Sequence, residues 1–152
     1  MTAARDATPP PSTSTTPPPP PERVFSLLYR PSGALELLRA DVALLRSLTL
    51  FDLEPARDIP NYHGQPNRIG WYASTKAGTH LRFESGLERL RMQFLDFDPE
   101  VATFASQPFT LEWTEGDKVY RYTPDLLIVR AGRPRVVVNL KRACQKIAQK
   151  VS

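Results

Sequence analysis

The chain has 152 residues, which suits one domain, and carries a formal net charge of +4 at pH 7. Its one cysteine, Cys144, excludes an internal disulfide and a cysteine-based zinc site. No stretch approaches the roughly 20 apolar residues that span a bilayer, and the start lacks the apolar core of a signal peptide, so the sequence predicts a cytoplasmic protein with no membrane partner.

Residues 1–22 are predicted to form a disordered tail rich in Pro, Ser and Thr. Thr8 to Pro21 contains 8 of the 16 prolines and no aliphatic residue. Such a segment buries too little apolar surface to offset the entropy of ordering, and its prolines favour local polyproline II. The tail is either an inert extension or a proline-motif ligand for a partner.

The folded part is predicted over residues 23–152. Arg23 to Tyr29 favours a strand over a short helix, and Ser32-Gly33 a turn. The Leu- and Ala-rich Ala34 to Leu50 favours a helix, with Ser47 to Phe51 alternatively the start of a strand. Residues 52–66 contain four Pro or Gly residues and are predicted to be mostly loop. A hairpin is expected next, from segments 72–74 and 80–83 on either side of Lys76-Ala77-Gly78.

A helix is predicted to begin near Glu84. Ser85 is a candidate N-cap, and Glu88 three residues later completes a capping-box pattern. Asp96 to Pro99 ends the helix. Its expected apolar stripe consists of Phe83, Leu87, Leu90 and Phe94. Glu88 lies beside this stripe, where it either points toward a neighbouring sheet or only caps the helix and pairs with nearby arginines.

Three strands are predicted after the helix, over residues 109–113, 119–129 (interrupted by Pro124) and 135–140. The last two contain runs of Leu, Ile and Val on both faces, so both are expected to be central strands covered on each side. Asp125 enters one of them, directly after Pro124. Asn139 and Lys141 are two residues apart at the end of the other, which puts them on one face about 6–7 Å apart.

These polar groups can converge if the two strands pair antiparallel with Asp125 opposite Asn139. An acid and a lysine at the end of apolar strands are costly to bury unpaired. Glu88, Asp125, Asn139 and Lys141 then form the metal-binding pattern of PD-(D/E)xK nucleases. The alternative is a purely structural salt bridge between Asp125 and Lys141.

Charge is distributed unevenly along the chain. Residues 1–125 contain 13 Lys/Arg and 16 Asp/Glu, a net −3, whereas residues 126–152 contain 7 Lys/Arg and no acid, a net +7. A one-sided basic end is typical of proteins that contact the phosphate backbone of nucleic acid. The candidate DNA-binding residues are Arg133, Arg135, Arg142, Lys146 and Lys150. A solvated face without a partner is the other interpretation.

Four motifs in fixed order make the chain resemble a known family. They are E-S-x-L-E (84–88), D-F-D-P (96–99), S-Q-P-F (106–109) and Y-T-P-D (122–125), followed by V-N-L-K (138–141). Residues 57–141 resemble the N-terminal nuclease domain of the TnsA-like endonuclease subunit of heteromeric transposases. This resemblance implies an α/β (α+β) restriction-endonuclease-like core, a central mixed sheet flanked by helices.

The resemblance also implies a chemistry. Glu88, Asp125 and Lys141 would be catalytic, with Glu88, Asp125 and Asn139 binding Mg²⁺, for which Mn²⁺ substitutes, and with Gln107 lining the site. The subunit would hydrolyse phosphodiester bonds at the 5′ ends of a transposable element, beside an RNase-H-type transposase partner, and would need no small-molecule cofactor.

Two departures from the family pattern bear on activity. Asn139 stands where most of these nucleases have Glu or Asp, although an amide still offers one oxygen to a metal. Segment 142–151 is long enough only for a short helix, so the last strand of the fold and any downstream domain are expected to be missing. A catalytically inactive remnant that binds DNA or a transposase is therefore the competing hypothesis.

Overall fold

The computed structural model describes residues 23–58 and 69–141, and within them strands dominate. The architecture is α+β, with a single α-helix, α1 (Gly86–Phe97), and one 3₁₀ helix (Val42–Arg46) in the described residues. The strands are β1 (Phe25–Pro31), β2 (Leu38–Asp41), β3 (Leu53–Glu54), β4 (Gly70–Ser74), β5 (Thr79–Phe83), β6 (Val101–Ser106), β7 (Thr110–Glu115), β8 (Lys118–Tyr122), β9 (Leu126–Arg130) and β10 (Val136–Val138). No helix in the described part of the chain is long and apolar enough to cross a membrane.

The strands form three separate groups. A five-stranded sheet has the order β2-β1-β7-β8 with β3 also paired to β1, a three-stranded sheet has the order β10-β9-β6, and β4 pairs with β5 as a hairpin. Every pairing among the described strands is antiparallel. The expected α+β class is therefore observed, whereas the expected mixed sheet is not formed by the described residues.

Apolar clusters cover both faces of the three-stranded sheet. Successive side chains of β9 point to opposite faces, so each cluster receives some of them. Leu126 and Ile128 pack with residues of α1, β5 and β6 in one apolar cluster. Leu127 lies in a second cluster with Leu27 of β1 and Phe109. Strand β9 is therefore central and covered on both faces, as its apolar run predicted.

The prediction that the last strand, β10, is also central and covered on both faces is wrong. Within the described residues it is an edge strand, paired only with β9, and Val136 and Val137 are exposed. A run of valines favours a strand, but it cannot specify how many neighbours the strand has.

The predicted helix over Ala34 to Leu50 is wrong. After a turn at Ser32 and Gly33, the chain returns as β2 beside β1, with Ser26 opposite Asp41, and only the 3₁₀ helix follows. Gly33 takes φ 80°, a left-handed value that suits glycine and allows this reversal. Leu35 is 95% exposed, whereas Leu48 and Leu50 are buried, so the segment pairs with β1 through β2 and buries only its last leucines.

Helix α1 begins where the sequence predicted, but a different face is buried. Ser85 is its N-cap and accepts a hydrogen bond from Glu88 N. The buried positions are Glu88, Met92 and Leu95. Leu90 and Phe94 of the predicted apolar stripe are 48% and 60% exposed. The helix is thus rotated by about one residue from the orientation that hydrophobicity alone favours.

The predicted hairpin is confirmed as β4 and β5, and it fixes the position of α1. Asp96, near the end of the helix, accepts hydrogen bonds from Tyr72 Oη at 2.6 Å, Ser74 Oγ at 2.8 Å and Lys76 N at 3.1 Å. One carboxylate therefore joins the last turn of the helix to a strand and a turn of the hairpin. This anchor sets which side of α1 faces the sheet and brings Glu88 inward.

Candidate functional site

Asp125 lies at the entry to β9, opposite the end of β10. The pairs Val136–Ile128, Val137–Leu127 and Val138–Leu126 define the register, and its continuation by one residue puts Asn139 opposite Asp125. Beyond the paired residues, Leu140 N donates to Asp125 Oδ2 over 2.5 Å. The predicted antiparallel pairing and register are therefore observed, with a five-residue connection, 131–135, between the strands.

The break before β9 comes from proline. Pro124 is buried and cannot donate a ladder hydrogen bond, so β8 ends at Tyr122 and β9 starts after Asp125. This leaves the Asp125 carboxylate at the end of the sheet rather than inside it. The backbone carbonyl of Asp125 accepts from Gln107 N at 3.0 Å.

Glu88 is 8% exposed and lies in the first turn of α1. Its Oε1 accepts from Ser85 Oγ at 2.9 Å and its Oε2 from Glu84 N at 2.9 Å. Burial raises the pKa of Glu88, these two hydrogen bonds oppose that effect, and the negative charge of Asp125 raises the pKa further. The cap therefore forms, and Glu88 also lies close enough to Asp125 for the two carboxylates to repel each other.

Gln107 connects the helix to the strand end. It is 3% exposed, and its Nε2 donates to Oε1 of Glu84. Its backbone takes φ 45°, in the left-handed region that non-glycine residues rarely occupy. The sequence placed Gln107 at the lining of the site, and the structure puts it between Glu84 and Asp125.

Glu84 is the residue that sequence reasoning missed. It carries the second carboxylate of the E-S-x-L-E motif, four residues before Glu88, and its carboxylate contacts Gln107. Glu84 precedes the N-cap Ser85, and its backbone N donates to Glu88 Oε2, which holds the two acids of the motif close together. Their four-residue spacing was visible in the sequence and is the signal that could have identified Glu84.

Asn139 and Lys141 are both exposed and face different neighbours. Asn139 Nδ2 donates to Tyr122 Oη at 2.7 Å, toward β8. Lys141 borders a groove on α1 that includes Leu87 and Leu90. Asp125 and Lys141 form no ion pair within the described ranges, so the purely structural salt bridge is not observed.

Of the five candidate DNA-binding residues, the two that the structure describes, Arg133 and Arg135, lie away from Asp125. Arg133, in the connection at the other end of β9, binds the Glu100 carboxylate with both terminal nitrogens, and Arg135 donates to Leu48 O at 2.7 Å. Arg142, Lys146 and Lys150 lie outside the described residues, as do Cys144 and the tail at 1–22. The structure therefore describes only two residues of the predicted basic surface, Arg133 and Arg135, and both bind other groups of the protein.

The donor set suits a hard divalent cation, although the side chains are not arranged as a finished metal site. In residues 23–58 and 69–141, no group of three or more His, Cys, Asp or Glu side chains is close enough to hold a metal. Gln107 nevertheless contacts the Glu84 carboxylate through its Nε2 and Asp125 through its backbone, and its Oε1 is buried with no hydrogen-bond partner in the described residues. Oxygen donors of this kind fit Mg²⁺ or Mn²⁺.

Comparison of the sequence with family models and curated proteins identifies no relative. No protein-family model matches the sequence, and no curated protein matches it. The function is therefore argued from the site.

Proposed function

We propose that this protein is a metal-dependent DNA endonuclease with a restriction-endonuclease-like core, acting as the TnsA-like subunit of a heteromeric transposase. The observation that carries the proposal is the β9–β10 register, which sets Asp125 opposite Asn139 with Leu140 N bound to its carboxylate, while buried Glu88 has its pKa raised by burial and also by the charge of Asp125. Burying one carboxylate near another is unfavourable unless a cation or a proton compensates.

Different side chains would bind the metal, position its ligand and neutralise charge in the proposed reaction. Glu88 and Asp125 would hold a Mg²⁺ ion, which when bound polarises the scissile phosphate and lowers the pKa of a coordinated water. Leu140 N fixes Asp125 through its hydrogen bond to Oδ2. Lys141 borders the groove beside Leu87, the residue before Glu88, and its ammonium group would neutralise charge that develops on the phosphate.

The substrate would be a DNA phosphodiester at the 5′ end of a transposable element, and the partner an RNase-H-type transposase. Support comes from the order of the motifs that carry Glu88, Gln107, Asp125 and Lys141. It also comes from the hydrogen bonds that link Gln107 to Asp125 O and, through Glu84, to Glu88. The basic C-terminal part supplies positive charge for the DNA backbone.

The test is nicking of supercoiled plasmid by the full chain with Mg²⁺ or Mn²⁺, with and without the partner transposase. Asp125→Ala is expected to abolish nicking, and Lys141→Ala to reduce it by about 10²–10³-fold, the usual effect of losing one electrostatic stabiliser. Asp117→Ala and Lys118→Ala, in and beside the exposed turn between β7 and β8, are matched controls that should cut like the wild type.

The inactive-remnant alternative makes a different prediction. It is favoured by Asn139, whose amide nitrogen is bound to Tyr122 and which adds no negative charge to the site. A protein that is folded by circular dichroism and binds DNA, but nicks no plasmid with either metal and with the transposase present, would be this remnant and not an endonuclease.

A further inference from the structure

The backbone of Gln107 is held in a disfavoured conformation from both sides. Gln107 N donates to Asp125 O at 3.0 Å, and Gln107 O accepts from Ala56 N at 2.8 Å. Between these bonds the residue takes φ 45°, where a side chain crowds the backbone. Glycine would fit this position more easily. A non-glycine residue in such a conformation points to a task for its side chain.

The side chain of Gln107 leaves one strong acceptor unused. Its amide nitrogen must face Glu84, because a carboxylate only accepts hydrogen bonds and the amide oxygen would be repelled. The orientation of the amide is thereby fixed. Its Oε1 is then buried without a hydrogen-bond donor in the described part of the chain. A buried carbonyl oxygen without a donor lacks a positive partner, and a divalent cation would supply one.

Asn139 does not present a buried amide oxygen of this kind. It is exposed, and its side-chain nitrogen is bound to Tyr122 Oη on the β8 side. Gln107, in contrast, is buried, with its side-chain nitrogen bound to Glu84 just before α1 and its backbone N bound to Asp125 O at the strand end. Of the two amides, Gln107 is the one whose oxygen is buried without a partner in the described residues and whose nitrogen contacts a carboxylate.

We propose that the amide ligand of the divalent cation is Gln107 Oε1 and not the Asn139 side chain, with Glu84 as the positioning residue that orients this amide. The inference rests on the proposed function, since it names a ligand of the same metal site. It extends the donor set to a residue that lies in the connection between the two sheets, between β6 and β7.

The test measures Mn²⁺ affinity directly, by electron paramagnetic resonance of free Mn²⁺ in titrations of the full chain. Gln107→Met retains the length of the side chain and removes the oxygen, so affinity is expected to fall by roughly tenfold or more. Asn139→Ala is expected to change it by less than about twofold. Gln93→Met, the same substitution on α1, is the matched control.

A second variant covers the case in which Gln107→Met does not fold. Gln107→Glu adds a carboxylate at the same position, so Mn²⁺ should bind more tightly, while the melting temperature without metal should fall because Glu84 is adjacent. A purely structural Gln107 would lower the melting temperature in both variants and leave Mn²⁺ affinity unchanged, which would overturn the inference.

Failure of the inference and failure of the proposed function give different results. If wild-type protein binds no Mn²⁺, both are wrong. If Asp125→Asn removes Mn²⁺ binding but neither Gln107 variant alters it, while Asn139→Asp tightens it, the metal site stands and Asn139 is its amide ligand.

Discussion

At the scale of single residues, Glu88 has two roles that compete. As a helix cap its carboxylate accepts two hydrogen bonds, which favours the ionised form. Its burial and the nearby charge of Asp125 favour the protonated form and raise the pKa of Glu88 above its ordinary value. A group with a raised folded-state pKa contributes stability below its unfolded pKa, and this contribution is lost as the pH rises through the folded value.

Glu88→Gln should therefore stabilise the metal-free protein at pH 7 while abolishing metal-dependent nicking. The neutral amide avoids the penalty of a buried charge, and it can still accept from Glu84 N and donate to the Ser85 hydroxyl. Thermal unfolding between pH 4 and pH 8 should show the melting temperature of the variant exceeding that of wild type most clearly at the upper end.

Glu36→Gln, at an exposed position, is the control for removing one negative charge. If Glu88→Gln melts lower than wild type at pH 7 without metal, the cap outweighs the burial penalty. Glu88 would then be a structural acid and not one retained for a cation.

At the scale of elements, local signals predicted well and long-range packing did not. The capping box at Ser85 and Glu88 fixed the start of α1, and the turn formers fixed the hairpin, because both depend on residues within a few positions of each other. The apolar stripe failed for a different reason. The buried face contains Glu88, so a carboxylate interrupts the pattern that hydrophobicity detects, as happens where a functional group is buried.

The buried face of α1 can be tested by paired substitutions. Met92→Ala removes a fully buried side chain beneath β6 and β9, and should lower the free energy of unfolding by about 2–5 kcal/mol. Phe94→Ala removes a larger but 60% exposed ring and should cost less than about 1 kcal/mol. Urea denaturation of both variants decides between the two faces, since the sequence-based stripe predicts the reverse order.

The contact between α1 and the hairpin depends on Asp96. Burial alone would raise the pKa of Asp96, but hydrogen bonds from Tyr72, Ser74 and the backbone of Lys76 outweigh it and lower the pKa below its ordinary 3.8. Burial, together with the hydrogen bond to Asp96, raises the pKa of Tyr72 to about 12. The stability that Asp96 contributes is present above pH 3.8 and is lost as the pH falls through its lowered pKa.

Asp96→Ala should lower the free energy of unfolding at pH 7 by about 2 kcal/mol, because the Tyr72 and Ser74 hydroxyls lose their acceptor. Tyr72→Phe removes one of these bonds and leaves the carboxylate two others, so about 1 kcal/mol is expected. Urea denaturation at pH 7 and at pH 3 measures both. If the cost of Asp96→Ala does not shrink at pH 3, the ionised carboxylate is not what anchors the hairpin.

At the scale of the whole molecule, sequence reasoning predicted the α+β class and the pairing of β9 with β10, but not the division into separate antiparallel sheets. The segment from 34 to 50 shows why. Its composition favours a helix, yet β1 offers unpaired backbone groups along one side, and β2 satisfies them. Such competition between local preference and a distant partner cannot be resolved from residue patterns alone.

The uneven charge distribution predicts how the whole molecule binds DNA. DNA binding is expected to be weak, largely independent of sequence and steeply dependent on salt, because lysines and arginines of the basic end meet phosphates. The double variant Lys146→Glu/Lys150→Glu should weaken binding and reduce the slope of log K against log salt by roughly 2, about one unit for each lost phosphate contact. Fluorescence anisotropy with a labelled duplex at several salt concentrations measures this slope.

Arg133→Ala is the informative comparison for that experiment. Arg133 is bound to Glu100 by two hydrogen bonds at 3.1 and 3.0 Å, so its charge is already compensated within the protein. It also lies beyond the end of β9 opposite to Asp125, away from where a scissile phosphate would sit. Its removal should leave the slope within experimental error. If Arg133→Ala flattens the slope and the lysine variant does not, DNA crosses the molecule at the β9–β10 connection, and the approach to the carboxylates proposed here is wrong.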